Sequence, residues 1–292
     1  MKDLNFYIVD VFAEEKYAGN QLAVFLDTAG LSGSEMQVLA REMHYSETTF
    51  IDSAEERNGG YDVRIFTPEE EVPFAGHPTI GTAFVINEYI RQIPAENIML
   101  NLKIGQIPVK IDKDSGIYWM TQKEPEFGEV FSAETTAKIL SLDVSDIDDR
   151  YPIQTVSTGL PFIIVPLRSM AAVKRSKVNY AHYPQLIHKS DAKAFLIFSS
   201  ETYSDKNDLN ARMYGDYYGV PEDPATGSAN GCLAGYLSKY KYFKNSKIDV
   251  IVEQGFEIKR PSLLYLKAEQ KVKGIQVEVG GKIMAVAGGK LL

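Results

Sequence analysis

The chain has 292 residues, 45% of them hydrophobic and 11% aromatic, enough to bury the cores of roughly two domains. Its net charge is −8 and it has no basic cluster, which excludes nucleic acid as an expected partner. The N-terminus has no apolar leader, and no apolar run reaches about 18 residues. The sequence therefore predicts a cytoplasmic protein without membrane contact.

The first part of the chain is predicted to form strands around one amphipathic helix. Runs of β-branched and aromatic residues predict strands near 6–12, 22–25 and 61–66, with a turn at Gly19-Asn20. Ser32 or Ser34 is expected to cap a helix, and the apolar spacing that follows predicts one buried face. The three glutamates at 69–71 are typical of a solvated turn, since no metal-ligand partners follow at a suitable spacing.

Glu47 lies where the helix gives way to a strand. It stands between small hydroxyl residues and the apolar pair Phe50-Ile51. Such surroundings partly desolvate a carboxylate, which is the setting that acid–base catalysis uses. From the sequence alone, a solvated glutamate at a strand edge remains the alternative.

Two stretches each join a loop of small residues to an apolar helix. The first, at 72–83, reads VPFAGHPTIGTA, and the second, at 221–232, reads PEDPATGSANGC. Three pairs of residues share one offset of 151: Gly76 with Gly227, Ala83 with Ala234, and Tyr89 with Tyr240. Two such helix starts facing one another would offer free backbone N–H groups and positive dipole ends, which suit a small carboxylate.

The correspondence extends beyond the two helices and indicates a duplicated domain. Gly159 matches Gly19 at an offset of 140, and Arg212 matches Arg64 at 148, so insertions accumulate slowly and in order. We predict an α+β fold with two pseudo-symmetric halves, each a curved, mostly antiparallel sheet around a central helix. The predicted domains are 1–124 with a returning strand at about 280–292, and 125–279.

Four motifs in this order carry a family resemblance. They are SETTF at 46–50, RIFTP at 64–68, GHPTIGTA at 76–83 and EDPATGSA at 222–229. Together they resemble the phenazine-biosynthesis isomerases, the PhzF-like proteins of the diaminopimelate epimerase fold, over nearly the whole chain. The resemblance implies a homodimer and a site in the cleft between the halves. Gln21 departs from the family, which commonly has proline after Gly-Asn.

The resemblance also implies a role for each site residue. Glu47 would be the acid/base that shuttles a proton, while His77 and Asp223 would polarise or position the substrate. A small carboxylate-bearing metabolite would be bound by groups at the two helix starts: Gly76, Gly227 and Ser228. A lone histidine is usually structural, and that reading of His77 stays open.

Chemistry supports these roles independently. One glutamate in an apolar pocket can remove a proton from an unsaturated acid and return it elsewhere on the same face, so no cofactor is required. Clustered ligands at metal spacing are missing from the sequence, which predicts a metal-free site. Two alternatives stay open: an amino-acid epimerase that uses carboxylates in place of thiols, and a non-catalytic protein that binds a metabolite.

The single cysteine limits the chemistry further. Racemase relatives of this fold use one cysteine in each loop, where this chain has Ala75 and Asp223. Cys232 alone cannot supply two nucleophilic thiols or an internal disulfide. Its place on an apolar helix predicts a buried core thiol, with a reactive thiol as the alternative.

Overall fold

The computed structural model describes residues 4–184 and 190–291 and confirms an α+β protein. The chain divides into two compact units. Unit 1 consists of Met1–Thr121 and Gly280–Leu292, and unit 2 of Gln122–Val279. Among the described residues, none of the helices combines the length and apolar character needed to cross a membrane.

Unit 1 contains two α-helices and nine strands in its described part. The helices are α1 (Gly33–Met43) and α2 (Gly76–Val85), and a π-helical turn at Ile86–Ile90 follows α2. The strands are β1 (Leu4–Val11), β2 (Asn20–Phe25), β3 (Glu47–Ile51), β4 (Tyr61–Phe66), β5 (Glu71–Val72), β6 (Asn97–Leu102), β7 (Gly105–Asp112), β8 (Ile117–Thr121) and, from the end of the chain, β18 (Ile283–Leu291).

The strands of unit 1 pair in the order β18-β1-β2-β3-β4-β6-β7-β8, with β5 added to β4. Two of these pairs are parallel, β2 with β3 and β4 with β6, and the remaining pairs are antiparallel. Leu22 lies opposite Glu47 in the first parallel pair. This register places Glu47 at the start of β3, beside Leu22 of β2.

Unit 2 repeats this plan. Its described helices are α3 (Ala133–Ile139), α4 (Met170–Arg175) and α5 (Gly227–Lys239). Its strands are β9 (Glu126–Phe131), β10 (Ile153–Ser157), β11 (Pro161–Pro166), β12 (Ala194–Ser199), β13 (Leu209–Gly215), β14 (Val220–Asp223), β15 (Ile248–Gln254), β16 (Ser262–Gln270) and β17 (Ile275–Gly281).

The strand pairing shows how closely the two units correspond. Unit 2 pairs in the order β9-β10-β11-β12-β13-β15-β16, with β14 added to β13. Two pairs are again parallel. The pair β11 with β12 corresponds to β2 with β3, and the pair β13 with β15 corresponds to β4 with β6. A mostly antiparallel sheet with two parallel pairs is thus built twice from one chain.

The central helices α2 and α5 are almost entirely buried. Nine of the ten residues of α2 and eleven of the thirteen residues of α5 are buried. A helix that is apolar on all sides is buried inside its domain, as the sequence predicted. Gly81 lets α2 approach its sheet, because a Cβ there would stand 2.7 Å from side-chain atoms of both Leu22 and Val11.

A bidentate ion pair occurs at corresponding places in the two units. Arg64 donates to Glu71 over 2.8 and 2.9 Å, and Arg212 donates to Glu222 over 2.9 and 2.7 Å. Glu71 is therefore not merely part of a solvated turn, and that expectation was wrong for this residue. Planar guanidinium groups match carboxylates in this two-bond geometry, which ties β4 to β5 and β13 to β14.

Candidate active site

Glu47 is the first residue of β3, and the end of α1 determines that position. Helix α1 begins at a capping box formed by Ser32 and Glu35 and ends at His44, whose φ of 56° lies in the left-handed region. The chain turns there and enters β3 at Glu47. The Glu47 side chain is 19% exposed, so the structure supports the partly desolvated carboxylate and not the solvated one.

His77 lies in the first turn of α2 and faces Glu47. Its side chain is 6% exposed, and its Nε2 lies 3.5 Å from Oε2 of Glu47. The ring also makes a hydrogen bond with the backbone of Gln21, at the start of β2. Three separate segments, β2, β3 and α2, therefore meet at this imidazole.

Burial determines the protonation state of His77. Removal from water lowers the pKa of His77 to about 3, and the hydrogen bond to Gln21 only partly opposes that shift. A bond that raises a histidine pKa has a carbonyl as acceptor, and Nε2 makes no hydrogen bond within the described chain. The proton of the neutral ring therefore lies on Nδ1, and the Nε2 lone pair faces Glu47.

Asp223 ends β14 and is held in a dense polar network in unit 2. It is 7% exposed, and the hydroxyl of Thr226 donates to its Oδ2. Gln254 Nε2 donates to the backbone carbonyl of Asp223 over 2.8 Å. Gln254 Oε1 accepts from Asn230 over 2.8 Å. The Thr226 hydroxyl thus orients the Asp223 carboxylate, while Gln254 of β15 holds the Asp223 backbone.

The N-termini of α2 and α5 differ from those of the other described helices. Serine side chains cap α1, α3 and α4, whereas the N-cap residues of α2 and α5, Ala75 and Thr226, make no capping hydrogen bond in the part of the chain described. The Thr226 hydroxyl instead donates a hydrogen bond to the Asp223 carboxylate. Helix starts without a side-chain cap leave backbone N–H groups for an anion.

The structure groups the predicted site residues by unit. Glu47, Gly76 and His77 come together in unit 1. In unit 2, Gly227 and Ser228 are the first two residues of α5, and Asp223 ends β14 four residues before Gly227. The residue that corresponds to Ala75 is Thr226, because both immediately precede their helices; assigning Asp223 to that place was wrong by three positions.

Two contacts of the site were missed by the sequence analysis. One is the backbone of Gln21, which orients His77, and the other is the hydroxyl of Thr226, which orients Asp223. A residue that follows Gly-Asn offers its carbonyl whether it is proline or glutamine, so the departure at Gln21 preserves the contact. Thr226 could have been found as the last residue before a predicted helix start.

A cavity of about 390 Å³ in unit 1 lies apart from this site. Its charged lining residues are Asp52, Asp62, Arg64, Glu71 and Lys103, and neither Glu47 nor His77 lines it. Arg64 is already paired with Glu71. Across residues 4–184 and 190–291, no three His, Cys, Asp or Glu side chains are grouped so as to hold a metal ion.

Comparison with known proteins identifies the family. A family model described as phenazine biosynthesis-like protein matches residues 9–289. The chain belongs to the PhzC-PhzF family. Curated relatives support the assignment across their full lengths: a trans-2,3-dihydro-3-hydroxyanthranilate isomerase of Pseudomonas aeruginosa is 33% identical over 98% of both chains, and an uncharacterised isomerase of Clostridium acetobutylicum is 30% identical over 98% of this chain and 97% of the relative. This PhzC-PhzF protein is an isomerase.

Solved structures confirm the fold of the PhzC-PhzF chain. A PhzF-family protein of Bacillus anthracis superposes with a TM-score of 0.92 at 28% identity, covering 100% of both chains. A hydroxyproline epimerase from Agrobacterium vitis superposes with a TM-score of 0.63 at 8% identity, covering 100% of this chain and 91% of the other. The second likeness shows the epimerase-like fold alone.

Cys232 of this PhzC-PhzF protein is buried, as predicted. It lies within α5, fully removed from solvent, and its Sγ is 3.7 Å from both the Thr158 hydroxyl and the Leu160 carbonyl oxygen. Burial raises the pKa of the Cys232 thiol to about 12. A thiol in these surroundings stays protonated and unreactive near neutral pH.

Proposed function

We propose that this PhzC-PhzF isomerase moves a proton within a small unsaturated or cyclic carboxylic acid, with Glu47 as the acid/base and without a cofactor. One observation carries the proposal: a partly buried carboxylate faces the Nε2 lone pair of a neutral, buried imidazole. Such a pair can accept a proton and hold it between two half-reactions.

The proposed reaction has two proton transfers. The Glu47 carboxylate removes a proton from a substrate carbon, and the electrons of that C–H bond shift into the conjugated system. Glu47, now protonated, donates a hydrogen bond to Nε2 of His77. It then returns the proton to a different carbon on the same face, so that a C–H bond forms as the O–H bond breaks. The sequence is redox-neutral and needs no co-reactant.

Substrate binding is assigned to the helix starts. Backbone N–H groups at Gly76 and Gly227 would bind a carboxylate, because neither helix has a side-chain cap and both have positive dipole ends. The family resemblance adds Asp223 and Ser228 as positioning groups. Asp223 is suited to that role because Thr226 donates to its carboxylate and Gln254 donates to its backbone carbonyl.

The relatives suggest the first compound to test. Three Pseudomonas relatives carry the name trans-2,3-dihydro-3-hydroxyanthranilate isomerase, at 32% or 33% identity. That compound is a cyclic, unsaturated carboxylic acid, the class that a single acid/base beside a carboxylate site can process. It is therefore the probe for this protein and not its assigned substrate.

The internal repeat disfavours the epimerase alternative. Epimerisation by two bases needs an acid/base on each side of the reacting carbon, and the duplicated fold would supply them from equivalent positions. The strand register makes Ala194 the equivalent of Glu47. Glu47 is the first residue of β3 and lies opposite Leu22 of β2, and Ala194 is the first residue of β12 and lies opposite Phe162 of β11. Alanine cannot exchange a proton, so unit 2 offers no second base at the position equivalent to Glu47.

The experiment measures solvent-deuterium incorporation into the probe compound. Glu47→Gln keeps the shape of the side chain but cannot ionise, so exchange should fall by roughly 10²-fold to 10⁴-fold while ligand binding is retained. Asp223→Asn should do partial damage, and His77→Ala should fall between the two. Wild-type exchange should persist in excess chelator, and purified protein should hold no stoichiometric metal.

A matched variant controls for loss of a negative charge. Glu42 is an exposed residue of α1, so Glu42→Gln should bind and exchange like the wild type. If Glu47→Gln retained wild-type exchange while Asp223→Asn abolished it, the base would be Asp223 and the proposed role of Glu47 would be wrong. Binding without any exchange in the wild type would favour the metabolite-binding alternative.

A further inference from the structure

A buried hydrogen bond joins two threonines next to the Glu47–His77 pair. Oγ1 of Thr49 and Oγ1 of Thr82 are 2.8 Å apart, and both residues are fully buried. Thr49 follows Glu47 by two residues and lies on the same face of β3, since side chains alternate along a strand. Thr82 follows His77 by five residues in α2. The strand and the helix thus share two side-chain contacts, one catalytic in the proposal and one not.

These two contacts have matched spacing. Two residues of strand span about 7 Å, and five residues of helix span about 7 Å along the axis. The distance along β3 from Glu47 to Thr49 is therefore nearly equal to the distance along the axis of α2 from His77 to Thr82. Fixing the Thr49–Thr82 contact leaves little freedom for α2 to slide or rotate relative to β3 at Glu47.

Unit 2 provides an internal comparison. Leu196 and Leu233 take the places of Thr49 and Thr82, and both leucines are fully buried. Leu196 matches Thr49 because the arginines of the repeated ion pairs lie opposite the next strand residues, Phe50 opposite Arg64 and Ile197 opposite Arg212. Leu233 matches Thr82 through the offset of 151 that relates the two helices. Unit 2 also lacks the glutamate, because Ala194 stands there. The hydroxyl pair thus occurs in the unit that has Glu47, and apolar side chains occur in the unit that has alanine.

The comparison separates packing from positioning. Apolar packing is non-directional, and unit 2 shows that this fold closes its core without a hydroxyl pair at these positions. A hydrogen bond has a preferred distance and angle, so it fixes the relative placement of two elements more sharply. Burying two hydroxyl groups adds little net stability when they are paired, which leaves placement as the distinguishing effect.

We propose that Thr49 and Thr82 are positioning residues, whose hydrogen bond sets the placement of His77 relative to Glu47. Its consequence for turnover rests on the proposed function, whereas its consequence for the His77 ring does not. Neither threonine touches the proposed reacting atoms, and both act through Glu47 and His77. The family resemblance assigned no role to either residue.

The test replaces both threonines by valine, which has the same shape without the hydroxyl. Thr49→Val with Thr82→Val should melt within about 3 °C of the wild type, because removing both partners of a buried hydrogen bond is nearly neutral. Protein labelled with ¹⁵N-histidine should show displaced His77 ring resonances without any ligand. Exchange into the probe compound should fall about 100-fold with little change in KM, since a small misplacement of reacting groups has that effect.

Thr48 supplies the matched control. It is the neighbour of Thr49 in β3 and is fully buried, and its hydroxyl makes no hydrogen bond in the described part of the chain. Its side chain points to the opposite face of the strand. Thr48→Val should therefore leave the His77 resonances and the exchange rate at wild-type values. Thr49→Ser with Thr82→Ser keeps both hydroxyls and should restore the wild-type ring resonances.

The outcomes are distinct for the two proposals. Wild-type His77 resonances in the double-valine variant would overturn the positioning role. If that variant fails to fold, Thr82→Val alone serves, and unchanged His77 resonances there would overturn it equally. If the wild type exchanges no proton on the probe compound but the valine variants still displace the His77 ring, the positioning role stands and the proposed function fails.

Discussion

Acidification tests whether His77 is buried as a neutral base. The folded protein holds the pKa of His77 at about 3, against an ordinary value of 6.5, because burial disfavours the imidazolium. Between those two pH values the unfolded chain binds a proton at this residue that the folded chain does not. Stability from His77 is therefore complete above pH 6.5 and is lost progressively as the pH falls toward 3.

The size of the effect follows from the two pKa values. A pH of 5 lies about 1.5 units below the ordinary pKa of histidine, so the unfolded chain is protonated at His77 while the ring in the folded protein is still neutral. At about 1.4 kcal/mol per unit, lowering the pH from 7.5 to 5 should remove about 2 kcal/mol of the free energy of unfolding through His77 alone. Other titrating groups add their own changes, so the measurement has to isolate this residue.

Urea denaturation of two proteins at two pH values provides that isolation. His77→Asn places an amide near the position of Nδ1, keeps a donor for the Gln21 carbonyl, and does not titrate. The wild type should lose about 2 kcal/mol more than this variant between pH 7.5 and pH 5. His44→Asn serves as a control at an exposed histidine, whose left-handed backbone asparagine tolerates.

Equal losses in the wild type and in His77→Asn would refute the reasoning. That result would mean that the folded protein also protonates His77 above pH 5, for example by forming an imidazolium–carboxylate pair with Glu47. The Nε2 lone pair would then be unavailable as an acceptor. The proposed proton-holding role of His77 would have to be abandoned, although Glu47 could still act as the base.

The remaining predictions concern Cys232 and the assembly. Cys232→Ala should retain wild-type exchange, with some loss of stability from the small cavity in α5, as measured by thermal melting together with the deuterium assay; a folded variant without exchange would contradict the thiol-free mechanism. By family resemblance we expect a homodimer, so light scattering at micromolar concentration should give about twice the 32.6 kDa of one chain, and a mass near one chain would refute it.

The sequence by itself determined the repeat and the identity of the helix starts. Small residues at Gly76 and Gly227, followed by apolar periodicity, mark two buried helices because backbone geometry and burial leave few alternatives. The constant offset between them is visible without coordinates. The same patterns located Glu47 at a helix-to-strand junction and Cys232 in a core helix, since local composition encodes burial and chain reversal.

Only the tertiary structure decided which side chains meet. Nothing local in the sequence pairs Glu47 with His77, Thr49 with Thr82, or Glu71 with its arginine. Those partners depend on strand register and on how closely α2 approaches the sheet, and both arise from long-range packing. Periodicity reports how a residue faces its own element, whereas a contact requires two elements to be placed in three dimensions, so the protonation state of His77 had to come from the fold.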